Sequence, residues 1–235
     1  MGEVMLANEY VKGIKLKEDI KYNEPPKDWI MSEKLDGYRA TFKYIDGVGV
    51  FLSRSGKKYY APKWFIDNMP PKKLLKDDIL DGELWAGRDN FEAMGCVRKK
   101  KPVDAEWGKI VYMVYDVIND TPTFVGRLKE LKKYVSFSEN KWNDKKEKLK
   151  KKDPDADYGD VPCPIAYTPQ FKITSVDMMN KYYQDILEKK GEGIMIKHPL
   201  CPYKAGRTSY LFKYKPSFDR EAIIIGYTEG KGKYK

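Results

Sequence analysis

Residues 34–39 read Lys34-Leu35-Asp36-Gly37-Tyr38-Arg39, and the segments on either side decide how they fold. Trp29–Lys34 has the length of a short strand. Tyr38–Ile45 and Val48–Ser53 alternate around Asp46-Gly47, a strong hairpin signal. The hexapeptide is therefore expected as a glycine turn between two strands. A lysine two residues from an aspartate, with an arginine beyond, also suits a covalent lysine nucleophile that attacks a phosphate. A lysine amine is protonated at neutral pH unless desolvation or a cationic neighbour frees its lone pair. Asp36 is expected to orient the amine, and Arg39 to hold a phosphate or ribose with its planar fork. The plainer reading is a charged turn at a strand end, and this motif alone does not separate the two.

Working outward, Pro62–Asn68 reads as a short helix opened by proline. Ile79–Trp85 and the nearly continuous apolar run Ile110–Ile118 read as strands, the second of them buried. Asn90–Lys99 is expected to be helical with Asn90 as its cap. Helical patterning returns at Gly126–Val135. It is followed by the lysine-dense stretch Lys141–Lys152, read as a solvated helix end or a mobile loop, with a nucleic-acid contact as the other reading. Ser175–Lys190 is an amphipathic helix with Val176, Met179, Tyr183, Ile186 and Leu187 on one face, Ser175 as cap and Gly191 as stop. Gly193–Lys197, Ser209–Lys215 and Ala222–Thr228 read as strands. Hairpins interspersed with helices predict an α+β fold with antiparallel sheets.

The 235-residue chain carries 45 Lys and Arg against 35 Asp and Glu, a net charge of +10, which favours polyanionic partners. Its 18 tyrosines supply aromatic faces, most of them expected as ordinary strand residues. Cys96, Cys163 and Cys201 form no C-x-x-C pair, which argues against structural zinc and for a reduced, intracellular compartment. Neither a secretory signal nor a bilayer-spanning stretch is evident. With His198 as the single histidine, serine–histidine and cysteine–histidine chemistry have little support.

Five later segments carry chemistry. Ser53-Arg54-Ser55-Gly56 ends a strand with groups able to grip a phosphate, or is a plain polar turn. Asp81-Gly82-Glu83 lies in an apolar strand, where carboxylates need a metal, hydroxyls or a lysine as partner. Tyr115-Asp116 ends the long apolar strand, with the aromatic either in the core or stacked on a purine. Glu192-Gly193-Ile194-Met195-Ile196-Lys197 sets a glutamate at a strand mouth, a reasonable Mg²⁺ position. Lys213-Tyr214-Lys215 projects two ammonium groups to one side, where an anion would relieve their repulsion.

In this order and spacing, from about Leu6 to Pro216, the segments resemble the covalent nucleotidyltransferases, and among them the ATP-dependent DNA ligases. Glu192-Gly193 has the ligase form. Leu80–Trp85, the Phe91–Trp107 region with Met94, Val97, Arg98, Pro102 and Trp107, Tyr112–Asp116, and Tyr203-x-x-Gly206-Arg207-Thr208-Ser209 resemble compact viral and bacterial ligases. The resemblance implies an ATP-grasp-like adenylation domain over residues 1–216. Lys34 would carry AMP, Glu83 would contact the ribose or a metal, and Glu192 would help place that metal, Mg²⁺ or Mn²⁺. Tyr115 would stack on adenine, and Lys213 and Lys215 would contact the α-phosphate. Glu33, Leu35 and Ile194 would complete the nucleotide pocket. Arg39 and Arg54 would touch nucleotide or the 5′-phosphate of a nick, and Arg127 matches an arginine common in the family. The implied activity is nick sealing in duplex DNA by a monomer, in repair, replication and recombination. Such ligases continue into an OB-fold. Residues 217–235, with Glu221–Gly226 as a strand, are expected to be only its start, which weakens the expectation of self-adenylation. The rival readings are an mRNA-capping guanylyltransferase, an RNA ligase, or a lobe that binds nucleotide or nicked DNA without turnover.

Overall fold

The computed structural model describes residues 4–10, 27–152 and 162–216, with 226, 228 and 229 beyond. The chain enters through strands β1 (Met5–Glu9) and β2 (Ile30–Glu33) and crosses residues 34–37 into the hairpin β3 (Tyr38–Ile45) and β4 (Val48–Ser53). Asp46 and Gly47 both take positive φ, 49° and 79°, as a two-residue turn matched to strand twist requires. Then come β5 (Lys58–Tyr59), the short helices α1 (Lys63–Asp67) and α2 (Lys72–Leu75), β6 (Ile79–Trp85), a 3₁₀ helix at Phe91–Arg98, α3 (Asp104–Trp107) and β7 (Val111–Ile118). The second half holds α4 (Phe124–Lys152), β8 (Ile165–Tyr167), β9 (Gln170–Lys172), α5 (Val176–Glu188), β10 (Ile194–Lys197) and β11 (Gly206–Tyr214).

These strands form two sheets, ordered β1-β11-β10-β2-β9 and β5-β4-β3-β6-β7-β8. All pairings are antiparallel except β1 with β11 and β7 with β8. Each sheet has an apolar back. Phe42, Leu80, Leu84, Tyr112 and Val114 pack against Phe65, Trp107 and the α4 residues Leu128, Leu131 and Val135. Met31, Ile194, Ile196 and Phe212 pack with Met179, Tyr183 and Ile186 of α5. Because side chains alternate along a strand, the residues between these face the other way. The two sheets thus turn their polar faces toward each other across a cleft.

Several expectations changed. Residues 91–98 form a 3₁₀ helix that buries Met94, Cys96 and Val97; Met94 and Val97, three apart, are stacked by its three residues per turn. Asn90 does not cap it; its side-chain amide donates to the Ala86 carbonyl at 3.0 Å. The helix begun near Gly126 continues unbroken through the lysine run to Lys152. Ser175 caps α5 as expected, accepting the Met178 N–H at 3.1 Å. At its other end it is Lys190 that takes the left-handed conformation, φ 61°. Gly191 is needed for space instead: a Cβ there would stand 2.5 Å from Ile186 Cγ2. The short strands β1, β5, β8 and β9 carry no usable local pattern and exist through long-range pairing. The expected strand within 222–228 and the start of an OB-fold lie outside the described residues.

Candidate active site

A cavity of about 350 Å³ lies between the sheets. That is the size of an ordinary small-ligand pocket. The five-stranded sheet lines it with Ser32, Met195, Lys197, Leu211 and Lys213, and the six-stranded sheet with Arg39, Asp81, Glu83 and Tyr115.

Lys34 leaves β2 with its backbone N–H bonded to the Gly193 carbonyl at 2.8 Å, which fixes where its side chain starts. The turn that follows cannot relax away, because a Cβ on Gly37 would lie 2.3 Å from the Leu84 carbonyl oxygen. The Lys34 ammonium donates to Glu192 Oε2. Glu192 also faces Lys215, whose Nζ lies 3.7 Å from Oε1. Lys213 Nζ sits 3.0 Å from Glu9 Oε1. The paired lysines thus have different carboxylate partners, Glu9 for Lys213 and, shared with Lys34, Glu192 for Lys215. Lys213 lowers the Glu9 carboxyl below its ordinary range by hydrogen bonding and charge.

Glu83 accepts no hydrogen bond among the described residues. Burial pushes its carboxyl up to about 8; Arg39 and Lys34 oppose the rise, and Asp81 and Glu192 add to it. Tyr115 shows its ring to the cavity beneath the Arg39 guanidinium, 5.8 Å from the ring centroid. Arg39 lines the cavity, but its fork is engaged. Nε and Nη2 donate to Asp81 at 3.0 and 2.6 Å, and Nη1 donates to the Met5 carbonyl at 2.7 Å. The Tyr203 hydroxyl completes this knot by donating to Asp81 at 2.6 Å. Arg54 stands exposed at the rim. Glu33 borders the cavity and is clamped by Arg88 through two bonds of 2.7 and 2.6 Å.

Four sequence-picked residues do not line the cavity; of these, Glu192 is joined to it by its bond to Lys34 and Lys215 by its ion pair with Glu192. Asp36 is exposed and does not line the cavity; the partner of the Lys34 amine is Glu192, brought from 158 residues away. Ile194 points into the α5 core, and by alternation Met195 takes the cavity position. Leu35 is buried and does line the cavity. The sequence reading missed Ser32, Gln170, Met195, Lys197 and Phe124. Period-two alternation applied to Ile194–Lys197 would have found Met195 and Lys197. Ser32 and Gln170 are placed by the pairing of β2 with β9, and Phe124 by the packing of the start of α4.

A second ionic group is built into the cavity wall, with Lys197 on the cavity side and Asp116 and Arg127 buried behind it. Asp116 is bonded by Arg127 at 2.8 and 3.3 Å and by Lys197, and Arg127 also donates to the Cys201 and Thr121 carbonyls at 3.0 and 3.1 Å. Lys197 Nζ sits 4.3 Å from the centroid of the Phe124 ring. His198 is buried against Trp29, and burial lowers its pKa. Among the described residues no group of three or more His, Cys, Asp or Glu forms a ready-made metal cluster. No helix among them is long and apolar enough to cross a membrane.

The ATP dependent DNA ligase domain family matches residues 4–215. A DNA ligase of Haemophilus influenzae is 27% identical over 213 residues, covering 91% of this chain and 67% of that protein. A DNA ligase of Methanococcus maripaludis is 29% identical over 186 residues, which make up 70% of this chain but 30% of its own. Among solved structures, one from a structure–function study of Lig E DNA ligases superposes with a TM-score of 0.70 at 28% identity, over 100% of this chain and 77% of that one. At 18% identity, the bacteriophage T7 ATP-dependent DNA ligase in complex with ATP shares the fold with a TM-score of 0.63, over 91% of this chain and 68% of that one. With the family match spanning both sheets and the cleft between them, the chain belongs to the ATP-dependent DNA ligases, as their adenylation domain.

Proposed function

We propose that this chain seals 5′-phosphate, 3′-hydroxyl nicks in duplex DNA through an adenylate carried on Lys34. One observation carries the reading: Lys34 lines an inter-sheet cavity together with Glu83 and Lys213, and its amine is bonded to Glu192, whose other oxygen faces Lys215. Lys34 Nζ attacks the α-phosphorus of ATP, the bond to the β-phosphate oxygen breaks, and pyrophosphate leaves. The ammonium proton departs through the Glu192 carboxylate it already touches. AMP then passes to the 5′-phosphate of the nick, and the 3′-hydroxyl displaces AMP to form the phosphodiester. All three steps are transfers at phosphorus, so positioning and charge neutralisation do the catalysis.

Within this reading Tyr115 offers its ring to the adenine, and Lys213 and Lys215 turn from their carboxylate partners to the α-phosphate. Arg54, exposed at the rim, meets the 5′-phosphate of the nick, while Arg39 holds Asp81 and Tyr115 in place. Glu83 and Glu192 fit Mg²⁺ or Mn²⁺: both offer hard oxygens, and Glu83 has no other partner in the described residues. Bound there, the ion would neutralise phosphate charge. A single copy of the chain supplies all of these residues, which supports a monomer.

The test is labelling of the chain with radiolabelled ATP or GTP, followed by mass analysis of the Lys34 peptide. ATP should leave an acid-stable AMP adduct that Lys34→Ala abolishes. Labelling by GTP would move the assignment to RNA capping. A pre-adenylated nick left unsealed would reduce the chain to a binding lobe.

A further inference from the structure

We propose that the last turns of α4 form a second DNA-binding element, one that grips duplex phosphates away from the nick. This rests on the function proposed above and extends it. Residues 141–152 carry seven lysines against Asp144 and Glu147. They are not a loose loop. They continue the 29-residue helix α4, which is anchored where Trp142 packs beside Trp64, ring centroids 6.4 Å apart. Lys141 ties the same point down by donating to the Asp67 carbonyl at 2.7 Å. Past Trp142 nearly every side chain is exposed.

Helical spacing sorts the charges. Lys141, Lys145, Lys148 and Lys152 follow one another at i, i+4, i+7 and i+11, one stripe along the helix, with Lys151 on its flank. Among the described residues, Lys145, Lys146, Lys148, Lys150, Lys151 and Lys152 have no carboxylate within ion-pair distance. Like charges stacked on one helix face repel, and a polyanion relieves that repulsion. Leu149 is the only large apolar residue of this segment beyond Trp142, so there is no apolar stripe to enter a bilayer. What remains is a rigid row of point charges that reads charge and not sequence. For a DNA ligase adenylation domain, the polyanion at hand is duplex DNA.

The position separates this element from the catalytic grip. Phe124, the first residue of α4, lines the cavity, while Leu128, Leu131 and Val135 pack on the far face of the six-stranded sheet. At the rise of an α-helix the end of α4 lies on the order of 40 Å from Phe124. That is about a dozen base pairs of duplex at one base-pair step per 3.4 Å. The arm therefore adds affinity without touching the reacting atoms.

The experiment compares the full chain with K145Q/K148Q/K151Q/K152Q, a set that keeps good helix formers. Binding is measured to an intact fluorescent duplex and to the same duplex carrying one nick, across salt concentrations. The variant should lose affinity for both duplexes. Its log K against log salt slope should flatten by about 3.6, at 0.9 for each of the four lost phosphate contacts. The matched Lys→Arg set should restore the slope. Lys34 adenylation and sealing of pre-adenylated nick at saturating enzyme should not change. An unchanged slope overturns the proposal. A chain that shows the expected slope but never seals leaves the arm standing and removes the sealing function, so the two failures are distinguishable.

Discussion

Two ion clusters in this molecule have the same composition, one carboxylate between two cations, and opposite fates. Glu192 sits between Lys34 and Lys215, and the Lys34 and Glu192 side chains are 23% and 27% exposed. Asp116 sits between Arg127 and Lys197, with side-chain exposures of 0%, 0% and 10%. The first cluster borders a cavity. Water reaches it, and a ligand can trade places with one partner for another. The second is closed at its centre: Asp116 and Arg127 are fully buried, and only Lys197, 10% exposed, reaches the cavity wall, so the shared carboxylate itself is out of a ligand's reach. Burying a charge without its partner is costly, so the sealed group fixes β7, α4 and β10 relative to one another. The difference teaches that pairing alone does not mark a reactive lysine. Access to a replacement partner does.

The sharpest way to break this contrast is at Lys34. Lys34→Ala should abolish adenylation, a fall of roughly 10⁴-fold or more as expected for loss of a covalent nucleophile. Its thermal midpoint should stay close to that of the parent, because a partly exposed ion pair contributes about 1 kcal/mol or less. A large loss of stability would mean that the open cluster is structural too.

Asp116→Ala should do the reverse. Removing the shared carboxylate strands two buried cations and should cost about 3–5 kcal/mol in urea unfolding. Chain that remains folded should still label at Lys34. If stability holds and labelling vanishes, the sealed cluster belongs to the chemistry.

Glu192→Gln is intermediate. Adenylation should fall by on the order of 10²–10³, the scale for losing one charge-stabilising group, with little change in stability.

Glu83 gives a pH signature. Its folded carboxyl is raised to about 8 from 4.5. The folded state therefore holds this proton more tightly than the unfolded chain does. Stability from this group is full below 4.5 and is lost as pH rises toward 8, where the folded carboxyl must ionise. Parent and Glu83→Gln unfolding curves should diverge across that window, with the variant losing less as pH rises. Parallel curves would show that Glu83 is ionised and already partnered. At the small end, Lys63→Ala removes an exposed i,i+4 pair with Asp67 and should change stability by less than about 0.5 kcal/mol.

How much of this could be read in advance depended on whether the signal was local. The hairpin at Asp46-Gly47, the strands around Asp81 and Tyr115, and the cap at Ser175 rest on near neighbours, and the structure has them where the residues placed them. Asn90 looked like a cap because the residue type fits, yet the segment is a 3₁₀ helix that buries Met94, Cys96 and Val97. Asp36 looked like the partner of Lys34 because it is near in sequence. Glu192 holds that place because strand β10 lies beside β2, with Ile194 opposite Glu33.

By itself the sequence determined which residues bring charge, rings and a nucleophile, and in what order along the chain, because composition, turn residues and period-two alternation are local properties. Only the tertiary structure decided which charges share a cavity and which are sealed away. Pairing between strands more than a hundred residues apart sets the distances and the burial, and those settle whether a carboxylate is a partner to be exchanged or a fixture of the core.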